Sequence, residues 1–552
     1  MAASRSDGRR RRRRLAGLAA AGFALLSPAA LSAQNLGPPI PLFPEAPRAP
    51  GGAITGEPLA PPAAGWSGDT TPPGKPLPAD FWHGTPRALA DILLSRLPTT
   101  PSPALQTLER RVLLSQGTAP EGADAQGLDL PMLRAKALLR LGEVEAARTV
   151  IEALPEKERG ATWPLYVEVV AIAGKLDRAC QTVRDRIHLD QGVFWQRALI
   201  GCQGLQGKLG QASLGLQILA EEKAPRDDGL AIAVNALAGR PAPEAIDHIA
   251  QPDPLALRLL VAAHRQLSSN LIRGLRPELA LAVALDQKAP SGTRLAAAER
   301  AARFGALPPH RLAALYKELA ESAGSQSGPA VAHARQFAAI ERGPAPADRL
   351  SRALAFADQF GRVGGPGLAA RLVAPQLRAI APDPTLAGSA LAAARLLIAA
   401  GHAARARRWT ELVPAPERGA LSLLLHLAAG PDATDAQPAN PAEMAHSVLS
   451  LALFAALGEK VAPAAWVGLP PPAWTAAGRP AAPAVSWLDL SEAGHAGRVG
   501  ETALAAILVA ASSGTLSTDP VVLHAAVASL RRVGLDGDAR RLALEAALAA
   551  SL

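Results

Sequence analysis

The chain has 552 residues, of which 49% are hydrophobic and 19% charged, enough for a sizeable buried core in several domains or one extended array. Its formal net charge is +9, but residues 1–14 hold seven arginines and one aspartate, or +6, and leave 50 basic against 47 acidic residues elsewhere. This balance excludes a strong electrostatic attraction to phosphate, and we expect no nucleic-acid partner.

The composition predicts an all-α protein. Alanine, the best helix former and a residue that lets helices approach closely, makes up about a fifth of the chain, far above ordinary usage. Aromatic residues make up only 3%. Runs of alternating β-branched residues, which strands would need, are almost absent.

The N-terminus carries the pattern of a secretory signal peptide. The arginine run is followed by "LAGLAAAGFALLSPAALSA", a short apolar stretch broken by Pro28 with small residues around Ala33. We predict a signal peptide over 1–33, cleavage after Ser32 or Ala33, and export across the inner membrane into a bacterial periplasm. Two alternatives stay open: an uncleaved membrane anchor, which alone would make a membrane partner, and a basic arm followed by a core helix.

A proline-rich segment follows. Thirteen prolines between Pro38 and Pro78 forbid both helix and strand. We predict a disordered linker over 34–80. The alternative is a semi-rigid polyproline tether that holds the folded part away from a membrane or presents a ligand.

Helical patterns then follow one another, and we predict a helical array over 81–430. In "LLRLGEVEAARTVIEALP", residues 138–155, Gly142 interrupts what would otherwise be one long helix. Glycine permits the left-handed conformation in which a helix ends and the chain turns back. The stretch therefore predicts two antiparallel helices.

The arrangement recurs along the chain. Glycines stand at 142, 174, 207 and 239, separated by 32, 33 and 32 residues. An apolar residue follows two positions after the first three of these glycines, an alanine five positions after, and another apolar residue nine positions after. These are Val144, Leu176 and Leu209, then Ala147, Ala179 and Ala212, then Ile151, Val183 and Leu216. A period near 33 with a small residue at fixed spacing is typical of a two-helix solenoid.

These positions resemble the pattern of the tetratricopeptide repeat family over about 130–220. The resemblance implies a helical-repeat α-solenoid with a surface that binds a protein partner. The fourth glycine has Glu244 where alanine is expected, whereas Gly401 with Ala406 and Gly534 with Ala539 keep the spacing further on. The alternative is a non-repetitive helical bundle whose glycines are ordinary helix caps.

The array is expected to be interrupted over 431–490. A turn-rich linker, "GPDATDAQPANP", is followed by a proline-rich segment with Trp466, Trp474 and Trp487. We expect this segment to pack against the helices, and the alternative is that its tryptophans line a binding groove. C-terminal helices are predicted over 491–552.

Cys180 and Cys202 are the only cysteines and predict a disulfide. They are equally distant from a turn near Gln191, so antiparallel helices joined there would bring them side by side. Export would place them in an oxidising compartment. The alternative is two small buried hydrophobic residues that remain thiols.

No catalytic signature is found in the sequence. The patterns Gly-x-Ser-x-Gly, Ser-x-x-Lys and His-Glu-x-x-His are missing. We therefore predict a non-enzymatic periplasmic interaction or scaffold protein that binds a protein partner of the cell envelope, without a cofactor or metal. The alternative is a cell-envelope enzyme or glycan-binding protein acting on peptidoglycan or another polysaccharide.

Overall fold

A computed structural model describes residues 66, 70–125, 127, 129–222, 228–429, 447–467, 484–511 and 514–550. The chain divides into two units, Met1–Leu59 and Ala60–Leu552, and all described residues belong to the second. The predicted signal peptide and most of the predicted linker lie outside the described residues, as does Trp474.

The described residues form 26 α-helices, four short 3-10 helices and two short strands. The α-helices are α1 Arg87–Ser95, α2 Pro103–Leu114, α3 Leu130–Arg140, α4 Val144–Glu152, α5 Trp163–Ile172, α6 Leu176–Arg186, α7 Val193–Leu205, α8 Leu209–Glu221, α9 Asp228–Leu237, α10 Pro254–Ala262, α11 Ser269–Gly274, α12 Pro277–Ala284, α13 Ser291–Arg303, α14 Pro309–Ser322, α15 Pro329–Glu341, α16 Pro346–Gly364, α17 Pro366–Arg378, α18 Ala390–Ala399, α19 Ala403–Arg407, α20 Ala415–Ala428, α21 Val448–Ala456, α22 Pro463–Val467, α23 Ala484–His495, α24 Val499–Ala510, α25 Pro520–Arg532 and α26 Asp536–Ala549. The 3-10 helices are Glu156–Glu158, Gly160–Thr162, Pro384–Ser389 and Thr410–Leu412, and the strands are β1 Ala245–Ile246 and β2 Gln266–Leu267. The prediction of an all-α protein built from stacked antiparallel helix pairs is confirmed.

The turn at Gly142 shows why glycine recurs in these pairs. Gly142 has φ 76°, the left-handed region that a side chain disfavours. Its N–H donates to Leu139 O at 2.9 Å, and the next N–H, of Glu143, donates to Leu138 O at 3.0 Å. This is the Schellman pattern, in which the two bonds satisfy carbonyl groups that the end of α3 leaves open. The turn releases the chain directly into α4.

The other glycines of the predicted repeat adopt the same conformation. Gly174, Gly207 and Gly239 have φ between 69° and 77°. The alanines five positions after the first three glycines are fully buried, namely Ala147, Ala179 and Ala212. A small, fully buried residue at this position lets successive helices pack closely. The three helix pairs α3/α4, α5/α6 and α7/α8 are consecutive and packed on one another.

The regular pairing breaks after Gly239. Where the spacing would continue with a helix, the chain forms β1, which pairs in parallel with β2 in the register Ala245 to Gln266. Glu244, which stands at the position of the buried alanine, is exposed. A carboxylate is too costly to bury at such a helix contact.

The described part of the predicted linker differs from a disordered segment. Trp66 is fully buried, and its indole N–H donates to Ser115 O at 3.0 Å. Its ring lies 5.0 Å from the ring of Trp82 and below the guanidinium of Arg134, 4.5 Å from the ring centroid. Leu77 is buried as well. Proline excludes helix here but does not prevent the flanking aromatic side chains from packing on α2 and α3.

The structure also differs from the predicted interruption over 431–490. Helix α21 lies inside that range, and its residues Leu453 and Phe454 are fully buried. The run "VLSLALFAA" is apolar on every side, so it lacks the periodicity by which a surface helix is recognised. It packs against α25 as part of the core.

Helix α2 connects the beginning of the array with its end. It packs against α24 and α26. The guanidinium of Arg111 pairs with the buried carboxylate of Asp538, and the carboxylate of Glu545 accepts from the N–H of Ala104 at 2.7 Å. Helix α2, near the start of the described array, and its last helix, α26, are therefore held together by buried polar contacts.

Candidate partner-binding groove

A cavity of about 470 Å³ lies among the helices of the repeat region. It is lined by residues of α5, of α7, of the loop that precedes α10 and of the first turn of α10. Helices α5 and α7 are the first helices of two consecutive pairs, so the helical repeat itself forms two of the walls. We call this cavity the groove and define it by its lining residues, which are Val167, Glu168, Phe194, Arg197, Ala198, 251–255 and Arg276.

The groove has an apolar floor. Val167 and Ala198 are buried residues of α5 and α7, and Leu255 is a buried residue of α10. Phe194 is only partly buried and presents its ring in edge-to-face contact with Trp195, at 5.2 Å between centroids. A partly exposed phenylalanine beside buried aliphatic residues is suited to receive an apolar side chain of a ligand.

Charged groups lie at the edge of the groove. Arg276 reaches the carboxylate of Glu168 at 3.6 Å and that of Glu278 at 3.3 Å. Glu278 is buried, and this burial raises the pKa of its carboxyl, although Arg276 opposes the effect. Arg197 donates to the side chain of Gln251 at 3.4 Å. Two guanidinium groups thus border an apolar floor.

The loop that closes one end of the groove is fixed by helix capping. The carboxylate of Asp253 accepts from the N–H groups of Leu255 and Ala256, both at 2.9 Å. Pro254 occupies the first position of α10, where proline costs no hydrogen bond. Prolines on both sides of Asp253 limit the loop further, so this wall of the groove is preformed.

The predicted disulfide is present and tethers the groove wall. Cys180 of α6 and Cys202 of α7 are bonded, with their Cα atoms 5.5 Å apart, and both are buried. The bond joins the second helix of one pair to the first helix of the next. Because α7 also carries Phe194, Arg197 and Ala198, the bridge restricts how far this wall can move relative to α6.

The tryptophans proposed as binding residues lie elsewhere. Trp466 is 41% exposed on the short helix α22, whereas Trp487 of α23 is partly buried against the core. Neither lines the groove. A binding role for Trp466, Trp474 and Trp487 stays a prediction.

The groove residues were not selected from the sequence. The segment "AQPDPL", residues 250–255, does carry a readable signal, because Asp253 before Pro254 is a typical start of a helix. The assembly of that start with α5 and α7 depends on packing between elements about 55 to 90 residues apart. No periodic pattern in the sequence predicts a contact between elements so far apart.

A buried hydrogen-bond network lies outside the groove. Tyr316 donates to Glu299 at 2.8 Å, and His333 Nδ1 lies 3.0 Å from the same carboxylate oxygen. Tyr316 and His333 are buried among Phe337, Phe356 and Phe360, so this network links helices α13 to α16. Burial raises the pKa of Tyr316 well above its usual value, and Glu299 adds to that shift.

Among the described residues, no group of three or more histidine, cysteine, aspartate or glutamate side chains lies together as ligands of a metal ion would. No helix among those residues is both long enough and apolar enough to cross a membrane.

Comparison with models of known protein families and with curated proteins finds no match to this chain.

Proposed function

We propose that this protein is a non-enzymatic interaction or scaffold protein of the bacterial cell envelope that binds a segment of a protein partner in the groove. The observation that carries the proposal is the position of the groove, whose walls are the first helices of two consecutive pairs. The spacing of Gly142, Gly174 and Gly207 resembles that of tetratricopeptide repeats, and this resemblance implies a surface that binds a protein partner.

The partner segment fits by its chemistry. Phe194 and the aliphatic floor favour an apolar side chain, and burial of one such side chain contributes about 1.5–3 kcal/mol. Arg197 and Arg276 at the edge favour carbonyl or carboxylate groups of the bound backbone or of neighbouring side chains. The preformed loop around Asp253 reduces the conformational entropy lost on binding.

The signal peptide pattern of 1–33 supports an exported location, and we propose the periplasm as the place where the partner is met. The disulfide between Cys180 and Cys202 agrees with an oxidising compartment.

Site-specific photo-crosslinking in the native envelope tests the proposal. A photoreactive residue replaces Phe194 or Ala198 in the groove, or, as the control, Arg342 on an exposed turn that does not line it. We expect the two groove positions to capture the same protein and the control position not to do so. Mass spectrometry of the crosslinked peptide then identifies the bound segment.

A synthetic peptide of that segment provides the second measurement. Phe194→Ala is expected to weaken its binding about tenfold or more, in line with the loss of one buried aromatic contact. Capture of glycan instead of protein from the groove, or equal capture from Arg342, would refute the proposal.

A further inference from the structure

The outward face of α8 differs from that of the preceding equivalent helix. The 33-residue repeat aligns Gln181, Arg184 and Asp185 of α6 with Leu214, Gln217 and Ile218 of α8. All three positions of α6 are exposed. At the same positions α8 exposes 57% of Leu214 and 44% of Ile218. The charged side chains of this face have thus been replaced by apolar or uncharged ones.

Both ends of the α8 face carry an exposed charge, Lys208 and Glu221, that forms no ion pair with another residue in the described part of the chain. In the preceding repeat, the ammonium of Lys175 lies 3.0 Å from the carboxylate of Glu145. In the next repeat the equivalent lysine is Lys208. The position equivalent to Glu145 holds Arg178, which cannot form an ion pair with a lysine. Among the described residues neither Lys208 nor Glu221, at the other end of α8, makes an ion pair.

The α8 face has a basic residue at one end, an acidic residue at the other and an apolar residue midway between them. Gln211, Leu214, Ile218 and Glu221 follow one another at intervals of three or four residues, which places these four along one side of the helix, and Lys208 is the residue that precedes its first turn. Lys208 and Glu221 are 13 residues apart, about 20 Å along the helix at 1.5 Å per residue. The midpoint between them falls next to Leu214.

We propose that this face binds the same face of a second copy of the chain, with the two α8 helices antiparallel. In that arrangement Leu214 packs against its counterpart near the twofold axis and Ile218 lies over Gln211. Lys208 of each copy lies near Glu221 of the other, so the twofold axis generates two intermolecular ion pairs. Because the face is complementary in charge to an antiparallel copy of itself, a second copy of the chain fits it better than an unrelated helix.

The surface is separate from the groove and its test does not depend on the groove. Sedimentation equilibrium of the full chain over a range of concentrations measures the association. We expect a reversible monomer–dimer equilibrium that weakens as salt is added, because exposed ion pairs are screened.

Charge reversal provides the decisive variants. Lys208→Glu and Glu221→Lys are each expected to weaken the dimer about tenfold, since each turns two attractions into two repulsions. The double variant K208E/E221K restores the opposite-charge pairs in reversed order, and we expect it to return the dissociation constant to near that of the wild type. Leu214→Glu abolishes association.

Lys317→Glu is the matched control, because Lys317 is an exposed lysine that already pairs with Glu341 within the chain. It should leave association unchanged, and circular dichroism should show equal helix content in all variants. A chain that is monomeric at every accessible concentration, a dimer insensitive to Leu214→Glu, or a double variant that fails to restore association would each overturn the proposal.

Discussion

Gly142 offers the sharpest test of how the helix pairs are held together. Its turn lies against the turn at Ala306, which follows α13. A Cβ atom added at Gly142 would come within 2.7 Å of both the Cα and the carbonyl carbon of Ala306, and closer still to its carbonyl oxygen. These are backbone atoms, so rotation of a side chain cannot relieve the contact. Gly207 has nearly the same φ, 74° against 76°, but a Cβ there meets nothing within 4 Å.

The two substitutions therefore separate backbone strain from steric overlap. Alanine in the left-handed conformation costs roughly 1–2 kcal/mol, and the reduced entropy of the unfolded chain returns about 0.4–1 kcal/mol. We expect Gly207→Ala to lower the free energy of unfolding by about 1 kcal/mol. Gly142→Ala should lower it by about 1–3 kcal/mol more, the usual cost of overpacking.

Hydrogen exchange measured by mass spectrometry, combined with denaturation midpoints, checks this prediction. Gly207→Ala should speed exchange only around its own turn. Gly142→Ala should speed exchange in 138–147 and also in 301–308, although the two segments lie far apart in the sequence. Equal losses of stability in the two variants, or unchanged exchange in 301–308, would refute the reasoning from the contact with Ala306.

Three further predictions concern polar and covalent contacts. Arg110 donates to Leu141 O, Gly305 O and the carboxylate of Glu143 at 2.7–2.8 Å, so Arg110→Lys should lower the free energy of unfolding by about 1.5–3 kcal/mol. Reduction of the Cys180–Cys202 bond, which spans 22 residues, should lower it by about 3 kcal/mol, seen as a lower Tm with reductant. Burial, followed by the neighbouring Glu501, raises the pKa of Asp489 to about 6. The neutral carboxyl therefore favours the folded chain. This contribution to stability is fully present below the ordinary pKa of 3.8 and is lost as the pH rises from there through about 6. Asp489→Asn should raise Tm at pH 7.5 and change it little at pH 3, below the ordinary pKa of the carboxyl.

Each of these predictions has an internal control. Arg110→Lys and Gly142→Ala act on the same pair of turns, so their effects should be less than additive, whereas Arg110→Lys and Gly207→Ala should add. The variant C180A/C202A should have the same Tm with and without reductant. A Tm difference between Asp489→Asn and wild type that does not vary with pH would contradict the assigned protonation of Asp489.

The local structure of the repeats could be predicted because it depends on short-range rules. Gly142 and Gly207 lie where the helical pattern stops, and only glycine tolerates the left-handed turn without strain. The cysteine pair was predictable for the same reason, since it depends on one turn and two adjacent helices. Helix α21 was missed because its residues are apolar on all sides, and hydrophobic periodicity cannot be read from a helix without a polar face.

The groove depends on contacts that no local pattern encodes. Its walls come from Val167, Phe194 and Leu255, whose helices are brought together by packing. The same holds for the role of Trp66, which looked like part of a proline-rich linker. A lone tryptophan among prolines gives no sign of its partners, and its burial depends on Trp82 and Arg134 reaching it across the fold.

The contacts of α2 have a consequence for the way the array becomes stable. The partners of Arg111 and Ala104 lie 427 and 441 residues further along the chain. In an open row of helix pairs, each pair would be stabilised mainly by its neighbours, and the row could fold from any point. Here Arg111 and Ala104 of α2 pair with carboxylates of the last helix, and a buried carboxylate or guanidinium that loses its partner is costly. We therefore expect the C-terminal helices to stabilise the N-terminal region, even though the glycine and alanine pattern suggests pairs that depend only on those beside them.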